Sequence, residues 1–107
     1  MYTLDVLGRP EKFESIVPGD TSTGISVGNL TSATNQQACA ALVTVEAQSI
    51  NYSLHGTAPT AAAGTNVGHQ LKAEETLILR GIDEVKNFRC IDRVSGSAST
   101  VKVTIYF

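Results

Sequence analysis

Ala41-Leu42-Val43-Thr44-Val45-Glu46-Ala47-Gln48-Ser49-Ile50-Asn51-Tyr52-Ser53-Leu54-His55-Gly56-Thr57-Ala58-Pro59 is the stretch that decides the fold class. Val43, Val45 and Ala47 alternate with Thr44, Glu46 and Gln48. After the polar pair Gln48-Ser49 the alternation resumes, with Ile50, Tyr52 and Leu54 set against Asn51, Ser53 and His55. A period of two in β-branched and aromatic residues belongs to half-buried antiparallel strands, whose successive side chains point to opposite faces. The run ends at Gly56 to Pro59, because glycine is entropically costly in a ladder and proline has no N–H to donate. The stretch reads as a strand, a tight connection, a second strand and then a long small-residue loop.

The same alternation extends outward in both directions. On the C-terminal side, 57–68 is too poor in large side chains to hold a core, His69-Gln70-Leu71 resumes order, and Lys72 to Glu75 is a charged turn. Thr76 to Arg80 reads as a strand. Gly81 to Asn87 reads as a helical turn, with Ile82, Val85 and Phe88 at three-residue spacing. Phe88 to Val94 is a further strand, Ser95 to Ser99 a flexible hairpin loop, and Thr100 to Phe107 a last strand with Val101, Val103, Ile105 and Phe107 facing inward. On the N-terminal side, Ile25 and Val27 alternate with Ser26 and Gly28 in a short strand over Gly24 to Leu30, followed by a polar turn from Thr31 to Gln37. About seven short strands at eight-to-twelve-residue intervals predict an all-β antiparallel sandwich with Greek-key or jelly-roll connections. Its expected core is Val43, Val45, Ile50, Tyr52, Leu54, Leu77, Leu79, Phe88, Ile91, Val101, Val103 and Ile105.

The first twenty residues read differently. Asp5, Arg9, Glu11, Lys12, Glu14 and Asp20 concentrate charge there, Pro10 and Pro18 interrupt it, and Tyr2, Leu4 and Phe13 are apolar anchors. Residues 1–20 are expected to be either an extended arm that orders on a partner or a first strand, and 21–107 a single sandwich domain.

The chain has 107 residues, about one domain, and only 17% of them are charged. The surface must therefore be largely Thr, Ser, Asn, Gln, Gly and Ala, which suits packing against neighbours. A formal net charge of −2 supplies no basic field for phosphates, so no nucleic-acid partner is expected. No apolar run reaches the length of about eighteen residues that a membrane span needs, so no membrane partner is expected either. Met1 to Asp5 lacks the basic and apolar regions of a signal peptide, and the expectation is a protein used without export. Cys39 and Cys90 read as small buried hydrophobes, Cys39 in phase with Ala41, Val43 and Val45; a disulfide would require neighbouring strands.

Residues able to carry chemistry are few. His55 and His69 flank the small-residue loop, yet two histidines without a third ligand in a motif make a weak metal case. Glu74 and Glu75 are adjacent and do not form a glycosidase pair. No serine lies in a Gly-x-Ser-x-Gly elbow. Gly64 to Gly68 lacks the lysine of a phosphate loop. Asn29-Leu30-Thr31 and Asn51-Tyr52-Ser53 match the glycosylation pattern only by its short consensus. The chain is expected to be no enzyme and to need no metal or cofactor.

Three pieces of the sequence carry a resemblance: Val43-Thr44-Val45-Glu46-Ala47-Gln48-Ser49-Ile50-Asn51-Tyr52, then His55-Gly56-Thr57-Ala58-Pro59-Thr60, then Gly68-His69-Gln70-Leu71-Lys72-Ala73. They resemble the V-x-V-E-x-Q strand, the D-G-T-A-P-T loop and the G-x-x-L-x-A-G turn of small virion structural proteins of tailed bacteriophages. Phe88 to Arg93 and Val101 to Phe107 are similar to the closing pieces of those proteins. The likeness spans 41–107 and departs at His55, where an acidic residue is usual, and at Glu74-Glu75, where a glycine is usual. It implies a β-sandwich particle protein in the virion, assembled in the host cytoplasm. The role implied is capsid decoration (cement) through contacts with the major capsid protein or other virion proteins, as a trimer. The alternative it leaves is a neck, tail or head-fibre binding module that contacts a receptor or carbohydrate. The residues expected to meet a partner are Tyr2, Leu4, Phe13, His55, Thr57 and Pro59.

Overall fold

The computed structural model describes residues 8–19, 21–56, 58–60, 68–94, 96 and 99–107. Its strands are β1 (Pro10–Ile16), β2 (Thr23–Gly24), β3 (Ala40–Glu46), β4 (Ile50–Ser53), β5 (His69–Leu71), β6 (Thr76–Arg80), β7 (Arg89–Asp92) and β8 (Thr100–Tyr106), with one helix, α1 (Gly81–Asn87), between β6 and β7. They form two four-stranded sheets, ordered β1-β8-β3-β6 and β2-β7-β4-β5. Every pairing is antiparallel. Two facing sheets in this order are an eight-stranded jelly roll, two Greek keys folded onto one core.

The alternation read from the sequence sets the core. Val101, Val103 and Ile105 of β8 face Ala41, Val43 and Val45 of β3 along the inner side of the first sheet, all buried. Ile50, Leu71, Phe88 and Cys90 close on them from the second sheet, and Val85 plugs the core from α1. Phe88 is the largest side chain without exposure. Tyr52, Leu54 and Leu77 are only partly buried against this cluster. Ile91 is buried outside it, in register with Asn51 rather than with Ile50.

Several expectations need correction. The short strand over 24–30 is only Thr23–Gly24, and Val27–Asn29 is a 3-10 turn with Val27 81% exposed. The cause lies on β1, where the Glu14 carboxylate accepts bonds from the Ser26 N–H at 3.0 Å and Asn29 Nδ2 at 2.7 Å and draws the segment off the ladder. Cys39 is exposed. It keeps the inward phase but precedes β3, where its backbone serves Tyr106 and Gly81 at the rim. The segment 95–99 does not close a hairpin, because β7 and β8 lie in opposite sheets. Instead the buried Asp92 carboxylate accepts a short bond from the buried Ser99 hydroxyl, joining the ends of the crossing. Nothing is overturned for residues 1–20, where Pro10–Ile16 is strand β1, paired with β8 with a register shift between Pro10 and Lys12.

The turn between β5 and β6 holds a left-handed residue that is not glycine. Glu75 N–H donates to Lys72 C=O at 3.1 Å, and Glu74, the third residue of this turn, sits at φ 69°. That is where a type II turn calls for glycine. A left-handed L-residue costs about 1–2 kcal/mol, partly offset by the chain freedom that a glycine adds to the unfolded state. Glu74→Gly should therefore raise the stability to urea by about 0.5–1 kcal/mol, whereas Ala73→Gly, without a positive φ to relieve, should lower it.

The two thiols should separate cleanly in reactivity. Burial, and after it the Asp92 carboxylate, pushes the Cys90 thiol up to about 12, with Arg89 opposing. Native protein at pH 8 should consume one equivalent of a thiol reagent, at Cys39, and denatured protein two. Because the folded value lies above the ordinary 9.0, this thiol supports folding fully below pH 9 and loses that contribution as the pH climbs towards 12.

Candidate functional site

Among the described residues, no group of three or more His, Cys, Asp or Glu side chains is placed to hold a metal ion. His69 packs against the Tyr52 ring, centroids 5.5 Å apart, and His55 is exposed in the bend after β4. The buried polar groups serve the scaffold. Asp92 receives Ser99. Arg89 Nε and Nη2 donate to the Ser22 hydroxyl and carbonyl at 2.7 and 2.8 Å, tying β2 to β7.

The outer faces of the two sheets differ. On the second sheet the chain covers its own strands. Asn51 is fully buried, its Nδ2 donating to Thr60 C=O at 2.9 Å and its Oδ1 accepting from Arg93 Nη1 at 2.9 Å. Pro59 is buried beside them and meets Gly68, where a Cβ would come within 2.5 Å of Tyr52 C=O. The glycosylation pattern at Asn51 is therefore shut inside the fold.

On the outer face of the first sheet one row joins the exposed Phe13 to Thr104 and the half-buried Leu42 and Ile78. Phe13, Thr104, Leu42 and Ile78 stand in register across β1, β8, β3 and β6. Four strands at the usual spacing make this row about 14 Å long. Beside it, Tyr106 and Ala40 pack with Leu42 and Ile78 in a cluster separate from the main core. Phe13 is 80% exposed, although an aromatic ring on a strand is normally the side chain a sheet buries. With Pro10, Glu11, Lys12 and Thr104 it lines an open recess of about 230 Å³. The next row, Ser15, Lys102, Thr44 and Thr76, is polar, with Lys102 Nζ donating to Ser15 Oγ at 3.0 Å.

Charge at β1 is spent on fixing the strand. Arg9 and Glu11 pair at 2.8 Å, and the Arg9 hydrogen bond holds the Glu11 carboxyl below its usual range. Lys12 Nζ donates to Gly28 C=O and Thr31 C=O at 3.0 and 2.8 Å. This clamp sets the strand and leaves Phe13 pointing outward between two inward-facing charged residues.

The residues expected to meet a partner do not converge on one spot. Phe13 is on the open face of the first sheet, whereas His55 and the buried Pro59 belong to the second. Tyr2, Leu4 and Thr57 lie outside the described residues. Sequence reasoning missed Leu42, Ile78, Ala40 and Tyr106. The available signal was the loss of alternation in Ala40-Ala41-Leu42-Val43 and Leu77-Ile78-Leu79, since a strand apolar in both phases has two faces to cover. Comparison of the chain with protein-family models, with curated proteins and with solved structures found no match.

Proposed function

We propose that the protein is a structural component of a tailed-phage particle, a cement protein that seats the open face of its first sheet on capsid subunits. The observation that carries this reading is Phe13, 80% exposed at the end of the apolar row it forms with Leu42 and Ile78. Aromatic anchors of this kind commonly dominate a protein interface, and a surface row of apolar side chains marks a contact site. The phage assignment is supported by the resemblance over 41–107. The jelly-roll order is in keeping with it, as a fold shared by viral capsid proteins and by unrelated proteins.

The test is co-sedimentation with capsids assembled without the protein. Wild type should pellet with them, and Phe13→Ser should bind at least tenfold more weakly. Its stability should stay within about 0.5 kcal/mol of wild type, since the ring is exposed. Equal binding by both proteins would remove the open face from the interface, and no binding by either would remove the capsid.

A further inference from the structure

Two aromatic side chains stand on the outer face of the first sheet, and their surroundings differ. Phe13 is 80% exposed and Tyr106 only 7%. Tyr106 points outward by alternation, since Val103 and Ile105 face the core, and it pairs with Ala40, which is 3% exposed. Among the described residues, the apolar side chains that pack with these two are Leu42 and Ile78. Both stand on the same face, one row further along the strands. Neighbours on one face of a sheet border a side chain but leave its outer surface in water, because side chains stand roughly perpendicular to the sheet. A tyrosine buried this deeply needs a cover above the sheet.

The cover must come from chain that reaches this end of the sheet. Helix α1 is engaged elsewhere, with Val85 in the main core and Ile82 packed against it. The segment 61–67 is bracketed by Thr60, which accepts from Asn51, and by Gly68, which passes close to Tyr52, both on the second sheet. Residues 20, 95, 97 and 98 adjoin Gly19, Gly96 and Ser99; Gly19 and Ser99 meet Asp92 at the end of the sandwich where β8 begins, away from Tyr106. Residues 1–7 remain. They join the described chain at Gly8, where φ is 98° and a Cβ would come within 2.7 Å of Phe107 C=O and 2.9 Å of Cys39 Sγ. Phe107 follows Tyr106 and Cys39 precedes Ala40, so the segment enters beside the pair that needs covering.

We infer that residues 1–7 cross the outer face of the first sheet at its Tyr106–Ala40 end, seating Tyr2, Leu4 and Val6 on that pair and leaving Phe13 uncovered. The sequence suits the site. Tyr2, Leu4 and Val6 alternate with Thr3 and Asp5, so an extended segment has one apolar side for the sheet and one polar side for water. Seven extended residues reach about 23 Å, more than the width of about 14 Å that four strands span. The covered end adjoins Leu42 and Ile78, which are half-buried, and the row they begin ends at the exposed Phe13. Phe13 stays free for a partner, so this inference stands whether or not the capsid reading holds.

Hydroxyl-radical footprinting of the purified chain, read residue by residue by peptide mass spectrometry, tests this without capsids. In wild type Tyr106 should oxidise slowly, at a rate independent of protein concentration. Leu4→Asp sets a carboxylate against the apolar pair and should raise the Tyr106 rate roughly fivefold, as the covered ring returns to water. Phe88, fully buried in the core, should keep its wild-type rate and so report that the domain stays folded. Thr3→Asp, on the solvent side, should leave the Tyr106 rate unchanged. A Tyr106 rate that does not move in Leu4→Asp would reject the segment as the cover. Protection of Tyr106 that is lost when wild type is diluted would assign the cover to a second copy instead. A wild-type Tyr106 that oxidises as fast as in urea would have no cover at all. Should Leu4→Asp fail to fold, Leu4→Ser decides by the same reading.

Discussion

The first sheet depends on one strand being bonded along both edges. β8 pairs with β1 on one side and with β3 on the other. No two strands adjacent in sequence are neighbours in that sheet, whose order is β1-β8-β3-β6. Every ladder in it closes a long loop of chain, and the entropy of closure must be met before the contacts return anything. The contacts that meet it are the inward rows of β8 and β3, which pack together without exposure at most positions. If Val103 or Ile105 were polar, both ladders would lose their hydrophobic backing together.

This topology explains which parts of the fold were legible in the sequence. Alternation is a local signal, and it located β3, β4, β6 and β8 and the inward phase of each. Which strand pairs with which is not a local property. The segment 95–99 resembles a hairpin loop because hairpins and sheet crossings use the same small polar residues. What distinguishes them here is the bond between Asp92 and Ser99 at the ends of the crossing, which no spacing rule reports. The missing strand around Val27 has a similar origin: Glu14, some dozen positions away, competes for Ser26 and Asn29. The open face was half legible. Phe13 stood out as an apolar anchor in a charged segment, but Leu42, Ile78 and Tyr106 were hidden in runs that also supply the core.

Several residues of the pieces Val43 to Tyr52, His55 to Thr60 and Gly68 to Ala73 have a conformational job. Val43 and Val45 fill the core. After them Ala47 takes φ 73°, with Gln48 N–H bonded back to Glu46 C=O at 3.0 Å, which turns the chain out of one sheet and towards the other. Gly68 lets the backbone pass close to Tyr52, and Thr60 receives Asn51. A pattern built from such positions specifies how the chain turns, and sequences that share it have similar demands on their backbone. Phe13, Leu42 and Ile78, the side chains of the open face, lie outside those pieces.

The order of strands also sets a schedule. At about 5–20 residues per second of synthesis, β8 follows β1 out of the ribosome by several seconds or more. During that interval β1 has no ladder to join, and a strand apolar on both sides would be a hazard to its neighbours. Arg9, Glu11, Lys12 and Glu14 answer this need before they answer any structural one: they keep the waiting segment hydrated, and later the same charges clamp it in place. Phe13, set among them, is the one large apolar side chain of Pro10–Glu14 that this nascent strand exposes from the start.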